Sequence, residues 1–132
     1  MGKGRTRAYF EGLLKSQKNK KGSDTVSKDF TVIYKILRTL QKWRGRESFE
    51  VELISAKAMK MEYEDWEQLM IELQEDGYIK GLVYSQGLTD MFPHIAEPIR
   101  PRITMKGIDF LNENEWMKKA AKALKSIGEF IP

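Results

Sequence analysis

His94 is the single histidine of the chain and cysteine is absent, so any nucleophile–base pair would have to be assembled around one imidazole. It stands beside Pro93 with no serine, cysteine or second histidine in a partner motif, and it reads as a surface residue. The 19 Asp and Glu residues supply carboxylates, but no spacing singles out a general acid and a general base. Without thiolates or a second imidazole no metal site is expected. Gly2-Lys3-Gly4 precedes no strand, and there is neither a phosphate-binding glycine loop nor a dinucleotide fingerprint. These residue types imply no catalytic centre and no cofactor. What they offer is charge.

The charge is unevenly placed. Residues 1–28 carry eight basic residues (Lys3, Arg5, Arg7, Lys15, Lys18, Lys20, Lys21 and Lys28) against Glu11 and Asp24. Residues 29–132 hold 15 basic and 17 acidic residues, so the overall +4 belongs to an N-terminal arm on a slightly acidic body. Lys and Arg neutralise phosphates without reading base edges. The arm, with Lys35, Arg38 and Lys42 of the body, is therefore the candidate contact for nucleic acid held without sequence preference. Further basic clusters are Arg44 with Arg46, then Arg100, Arg102 and Lys106, and finally Lys118, Lys119, Lys122 and Lys125. Within the arm, Tyr9, Phe10, Leu13 and Leu14 fall on one face of a two-turn helix. A helix that short needs a surface to lie on, either its own body or a second copy, which leaves a homodimer open. The opening Met1-Gly2-Lys3-Gly4-Arg5-Thr6 also fits the loose N-myristoylation pattern.

The elements that must position these groups follow from composition and period. The 132 residues, 41% apolar and 32% charged, suit one folded domain (29–132) carrying the arm (1–28). No apolar run approaches the ~20 residues of a membrane span, so no membrane partner is expected and the location is cytoplasmic. Phe30, Ile33, Ile36, Leu37, Leu40 and Trp43 mark an amphipathic helix ended by Gly45. Phe49–Lys57 reads as a short second helix, although Phe49-Val51-Leu53 also suits a strand. Glu62–Asp76 makes a third helix, with Trp66, Leu69, Met70 and Leu73 inward and Gly77 just past its end. Tyr78–Tyr84 is a strand, 85–98 a loop, and Ile99–Ile103 a return strand that Pro98 and Pro101 keep short or at an edge. Thr104 caps a further helix with Ile108 and Leu111 inward, and a last helix runs to Phe130 with Trp116, Ala120, Ala123 and Ile127 on one side. The three tryptophans read as packing anchors. In the loop, Leu88, Met91, Phe92 and Ile95 are expected to fold back onto the domain rather than insert into a partner.

Helix, helix, helix, hairpin and further helices is the order of a winged helix-turn-helix, an α+β fold made mainly of helices, with the loop as its wing. Glu75-Asp76-Gly77-Tyr78-Ile79-Lys80-Gly81, with Ile103-Thr104-Met105-Lys106-Gly107-Ile108-Asp109-Phe110-Leu111, resembles the YjcQ family of small bacterial and phage proteins. Asn112–Lys119 is similar to that family's last helix, and the resemblance runs from about Asp29 to the end. It implies a small winged-helix protein of phage or prophage origin, carries over no catalytic residues, and does not reach the arm.

The third helix departs from ordinary DNA readers. Residues 62–76 contain Glu62, Glu64, Asp65, Glu67, Glu72, Glu75 and Asp76 and no basic residue. Opposite its inward side the spacing puts Glu64, Gln68, Ile71 and Glu75. Carboxylates repel phosphates, so docking of this face in the major groove is disfavoured. The face suits a basic protein partner instead, with Ile71 as an exposed apolar anchor. The leading expectation is a non-enzymatic binding protein that engages nucleic acid, or a nucleoprotein machine, by charge. The alternative is a protein-interaction module that inhibits or redirects a host protein through the acidic helix, and a third reading is a virion structural or assembly protein.

Overall fold

The structure, a computed structural model, describes residues 28–126. The arm cations Lys3, Arg5, Arg7, Lys15, Lys18, Lys20 and Lys21, the apolar island at Tyr9–Leu14, and Ile127 and Phe130 lie outside the described residues.

Lys28–Lys42 forms helix α1, whose Phe30, Ile33, Ile36, Leu37 and Leu40 are buried together with Val32 and Thr39. It gives way to a turn at Gly45, where φ of +77° takes the backbone into the left-handed region. The segment after it is neither the expected full helix nor a strand. One 3-10 turn, Val51–Ile54, leads through further turns to Lys60. Only Ile54, Ala56 and Met59 there reach the core, while Leu53 is exposed, so no continuous apolar stripe exists to hold a longer helix.

Tyr63–Glu75 forms α2. Trp66, Leu69, Met70 and Leu73 are buried as the spacing predicts, and Gly77 at φ +89° follows its end. The Trp66 indole N–H donates to the Ile54 carbonyl at 2.7 Å, tying α2 to the 3-10 turn.

The hairpin is built differently from the expected one. Ile79–Lys80 (β1) pairs antiparallel with Arg102–Ile103 (β4), and Tyr84–Ser85 (β2) with His94–Ile95 (β3). Part of the expected loop is therefore strand, and the ladder is split in two. The split has visible causes: Pro98 and Pro101 have no N–H to give. Gly81 also sits so close to the returning segment that a Cβ there would lie 2.6 Å from the Arg100 carbonyl oxygen. Gln74 fills the gap from α2, donating to the Leu82 carbonyl at 3.0 Å and accepting the Leu82 N–H at 2.8 Å.

Thr104 starts α3, Met105–Glu113, as expected: its hydroxyl accepts the Gly107 N–H at 2.9 Å and donates to the Gly77 carbonyl at 2.6 Å. The Asn114 carboxamide oxygen takes the N–H groups of Trp116 and Met117 and opens α4, Glu115–Ser126. Met117, Ala120 and Leu124 are buried, and Trp116 stacks on Phe30 of α1 with centroids 5.9 Å apart. The described residues thus form an α+β fold of four helices and two small antiparallel sheets over one core. No helix among them is long and apolar enough to cross a membrane.

Candidate nucleic-acid interface

Along α1, positions 28, 35, 38 and 42 follow one another at seven-, three- and four-residue steps and so fall on one stripe. The stripe spans about 20 Å at the rise of an α-helix. Lys28, Arg38 and Lys42 are exposed and Lys35 is half-buried. The three body cations predicted to meet phosphate therefore share one face, and Lys28 extends it. Their neighbours add to the charge. Lys35 is held below its ordinary pKa by partial burial and by the ammonium groups of Lys60 and Lys28. Lys28 Nζ donates to the Lys60 carbonyl at 3.1 Å.

On the other flank Arg38 donates to Gln41 Oε1 at 3.3 Å and borders a shallow depression of about 480 Å³ shared with Tyr34, Asn112 and Lys118. Lys118, Lys122 and Lys125 are exposed on α4 at four- and three-residue steps, forming a second basic stripe. Lys119 points elsewhere, lying 3.8 Å from Glu115 and over the Trp116 ring.

Past the end of α1 lies a groove of about 460 Å³ between the Gly45 turn and the β1–β4 ladder. Trp43 and Phe49 form one wall, with centroids 6.3 Å apart and planes tilted by 49°. Arg44, Arg46, Lys80 and Arg102 line it, and Glu47 is its acidic member. Trp43, expected in the core, is only half-buried here. Two basic clusters far apart in sequence thus meet. Lys106 does not join them: its Nζ donates to the Asp76 carbonyl at 2.8 Å, at the carbonyl end of α2.

The acidic helix needs one correction. Glu64, Gln68 and Glu75 are exposed as expected, but Ile71 is 3% exposed and cannot serve as an anchor. The β2–β3 ladder covers that side of α2, burying Glu67 and Glu72 as well. Glu67 is a fastening point: one oxygen lies 2.9 Å from His94 Nδ1, and the other accepts the Ile95 N–H at 2.9 Å. Glu72 accepts from Gln68 Nε2 at 2.9 Å. His94, half-exposed, is raised above its ordinary pKa chiefly by the Glu67 hydrogen bond, with Asp90 and Glu64 adding to it. Beyond this fastening the loop folds back only in part, because Ile95 is buried while Leu88, Met91 and Phe92 are exposed.

Sequence reasoning missed Lys60, Lys80 and Glu67 as working groups. Amphipathic spacing signals none of them, since each gains its role from a segment distant in the chain. Lys80 and Arg102 become neighbours only through the register that sets them opposite each other.

No curated protein and no solved structure matches the chain. A family model described as YjcQ protein matches residues 34–130. That span takes in the hairpin, the Thr104 cap and both C-terminal helices, together with most of the basic stripe on α1. The chain belongs to the YjcQ family.

Proposed function

We propose that this protein is a non-enzymatic binding protein, built on a winged-helix plan, that holds nucleic acid through phosphates rather than bases. One observation carries the reading: Lys28, Lys35, Arg38 and Lys42 share a stripe on α1, with Lys118 on one flank and Arg44 and Arg46 at its end. No carboxylate of α2 lines the depression beside Arg38 or the groove beyond it. The acidic helix, which would be the reading element of an ordinary winged helix, approaches only the Lys28 end of the stripe, where its Asp65 lines the same depression, and leaves the stretch from Arg38 to Arg46 clear for phosphate. The order of helix, turn, helix, hairpin and helices supports the plan. The phage or prophage setting and the cytoplasmic location rest on the family resemblance and the sequence alone. The arm adds seven further cations to the same task.

Fluorescence anisotropy with two short duplexes of unrelated sequence, measured over a range of salt, tests this. Both should bind alike, with log affinity falling by about 0.9 per phosphate neutralised for each unit of log salt. Replacing Lys35, Arg38 and Lys42 with Gln should weaken both equally and flatten the slope by about 2–3. Removing residues 1–27 should do the same in the same direction. Absence of binding at low salt, or affinity indifferent to the triple variant, would overturn the reading.

A protein-interaction module is the second reading, and the exposed loop residues Leu88, Met91 and Phe92 favour it. The α2 face no longer does, since it has lost Ile71. A host complex that survives nuclease and is lost with Met91→Ser and Phe92→Ser would support this second reading.

A further inference from the structure

We infer that the groove at the end of α1 is a site for an unpaired nucleotide, so that the protein captures single-stranded nucleic acid there; this rests on the phosphate-binding reading and deepens it.

Three observations converge on an anion with a flat apolar part. The first is a large excess of positive charge. Arg44, Arg46, Lys80 and Arg102 line the groove against Glu47, and none of the four forms an ion pair with a described residue. The broader depression beside Lys28, Lys57 and Lys60 differs, because Asp29, Glu62 and Asp65 balance it. The second is a built-in repulsion. Lys80 and Arg102 are direct partners across the antiparallel β1–β4 ladder, so their side chains leave the same face of the sheet, and both are exposed. Like charges directly opposite one another destabilise a strand pair, and an anion seated between them turns that cost into attraction.

The third is the aromatic wall. Trp43 and Phe49 both line the groove, are half-buried, and are tilted rather than stacked flat on each other, so neither ring is covered face to face by the other. Aromatic faces beside a basic track are the arrangement that holds successive bases of a single strand. A duplex keeps its base faces inside the helix and cannot present them to a wall, so the occupant must be unpaired. A volume of about 460 Å³ lies in the range of small-ligand sites and accommodates one nucleotide rather than a folded partner.

The test uses the full chain and three probes: a short labelled oligothymidylate, the same backbone with its bases removed, and a duplex. The oligothymidylate should bind about tenfold more tightly than its abasic counterpart, as base stacking on an aromatic side chain requires. Arg46→Glu with Arg102→Glu, both on exposed side chains, should abolish that preference, and 5-iodouracil placed in the oligomer should cross-link to Trp43 or Phe49. Lys35→Gln with Arg38→Gln should weaken duplex and oligomer together. Equal affinity for oligomer and abasic backbone, or cross-links confined to other residues, would overturn the groove assignment. If duplex binding persisted in that case, the phosphate reading would stand without it. Loss of all nucleic-acid binding would overturn both. A polyglutamate peptide that binds in an Arg46- and Arg102-dependent way, when the oligomer does not, would likewise overturn the nucleotide assignment in favour of an acidic peptide.

Discussion

Gly107→Ala is expected to destabilise the protein, against the usual sign of that change in a helix. Replacing glycine by alanine inside a helix ordinarily gains about 1 kcal/mol. Gly107 lies in the first turn of α3, where an added Cβ would sit 2.1 Å from the Tyr78 carbonyl oxygen and 2.8 Å from Ile103 Cγ1. Ordinary contact begins near 3.4 Å, so α3 would have to retreat by more than an ångström. It is not free to do so. The same Tyr78 carbonyl accepts the Thr104 N–H at 3.1 Å, and the Thr104 hydroxyl bridges Gly77 and Gly107. Overpacking costs about 1–3 kcal/mol and a weakened hydrogen bond about 1 kcal/mol, which outweighs the helix gain by about 1–3 kcal/mol. At about 4–8 °C per kcal/mol for a domain of this size, Tm should fall by about 4–24 °C in a far-ultraviolet circular dichroism melt. Ile103 and Thr104 also line the groove, so oligonucleotide affinity should fall with stability. A Tm unchanged or raised by the substitution would refute the close approach of α3 to β1, and with it the floor of the groove.

Trp66→Phe removes the indole bond to the Ile54 carbonyl and should cost about 1–3 kcal/mol in urea unfolding at an unchanged m-value; a smaller loss would mean that the 3-10 turn is held some other way. His94 is raised in the folded state, so its stabilisation is complete below its unfolded pKa of about 6.5 and is lost as pH rises through the higher folded value. The parent should accordingly lose Tm relative to His94→Gln as pH climbs through that window, and parallel pH curves would contradict the His94–Glu67 contact. Glu64→Gln with Glu75→Gln should leave duplex affinity little changed. Marked tightening would put phosphates on α2 after all.

Helix α1, the inward side of α2, Gly77, the Thr104 cap and the last helix were legible because each depends on spacing within one segment. The split hairpin was not. It needs the coincidence of two prolines on one side with a close approach at Gly81 on the other, and a Gln74 side chain borrowed from a different element. Ile71 fails for a related reason. Helical spacing gives the side of α2 turned away from the first core layer, but says nothing of a strand folded over it, and Glu67 supplied the hydrogen bonds that let that strand settle on an acidic helix. The stripe of Lys35, Arg38 and Lys42 could be read from the sequence, since seven residues return to the same side of a helix. The groove was only half legible. Arg44 with Arg46, and Arg102, were visible as separate clusters, and the β1–β4 register joins them and adds Lys80.

Nucleic acid, on the function proposed here, lies on the basic side of α1 and its adjoining groove, away from the exposed carboxylates Glu64 and Glu75 of α2. Amide chemical-shift mapping of the full chain, titrated with a short single-stranded oligonucleotide at low salt, tests this placement most directly. The shifts should concentrate at Lys35, Arg38, Lys42, Arg44, Arg46, Lys80, Arg102 and Lys118, fade as salt is added, and leave Glu64–Glu75 unmoved. Shifts confined to α2 and the loop carrying Leu88, Met91 and Phe92, with the α1 stripe silent, would contradict it.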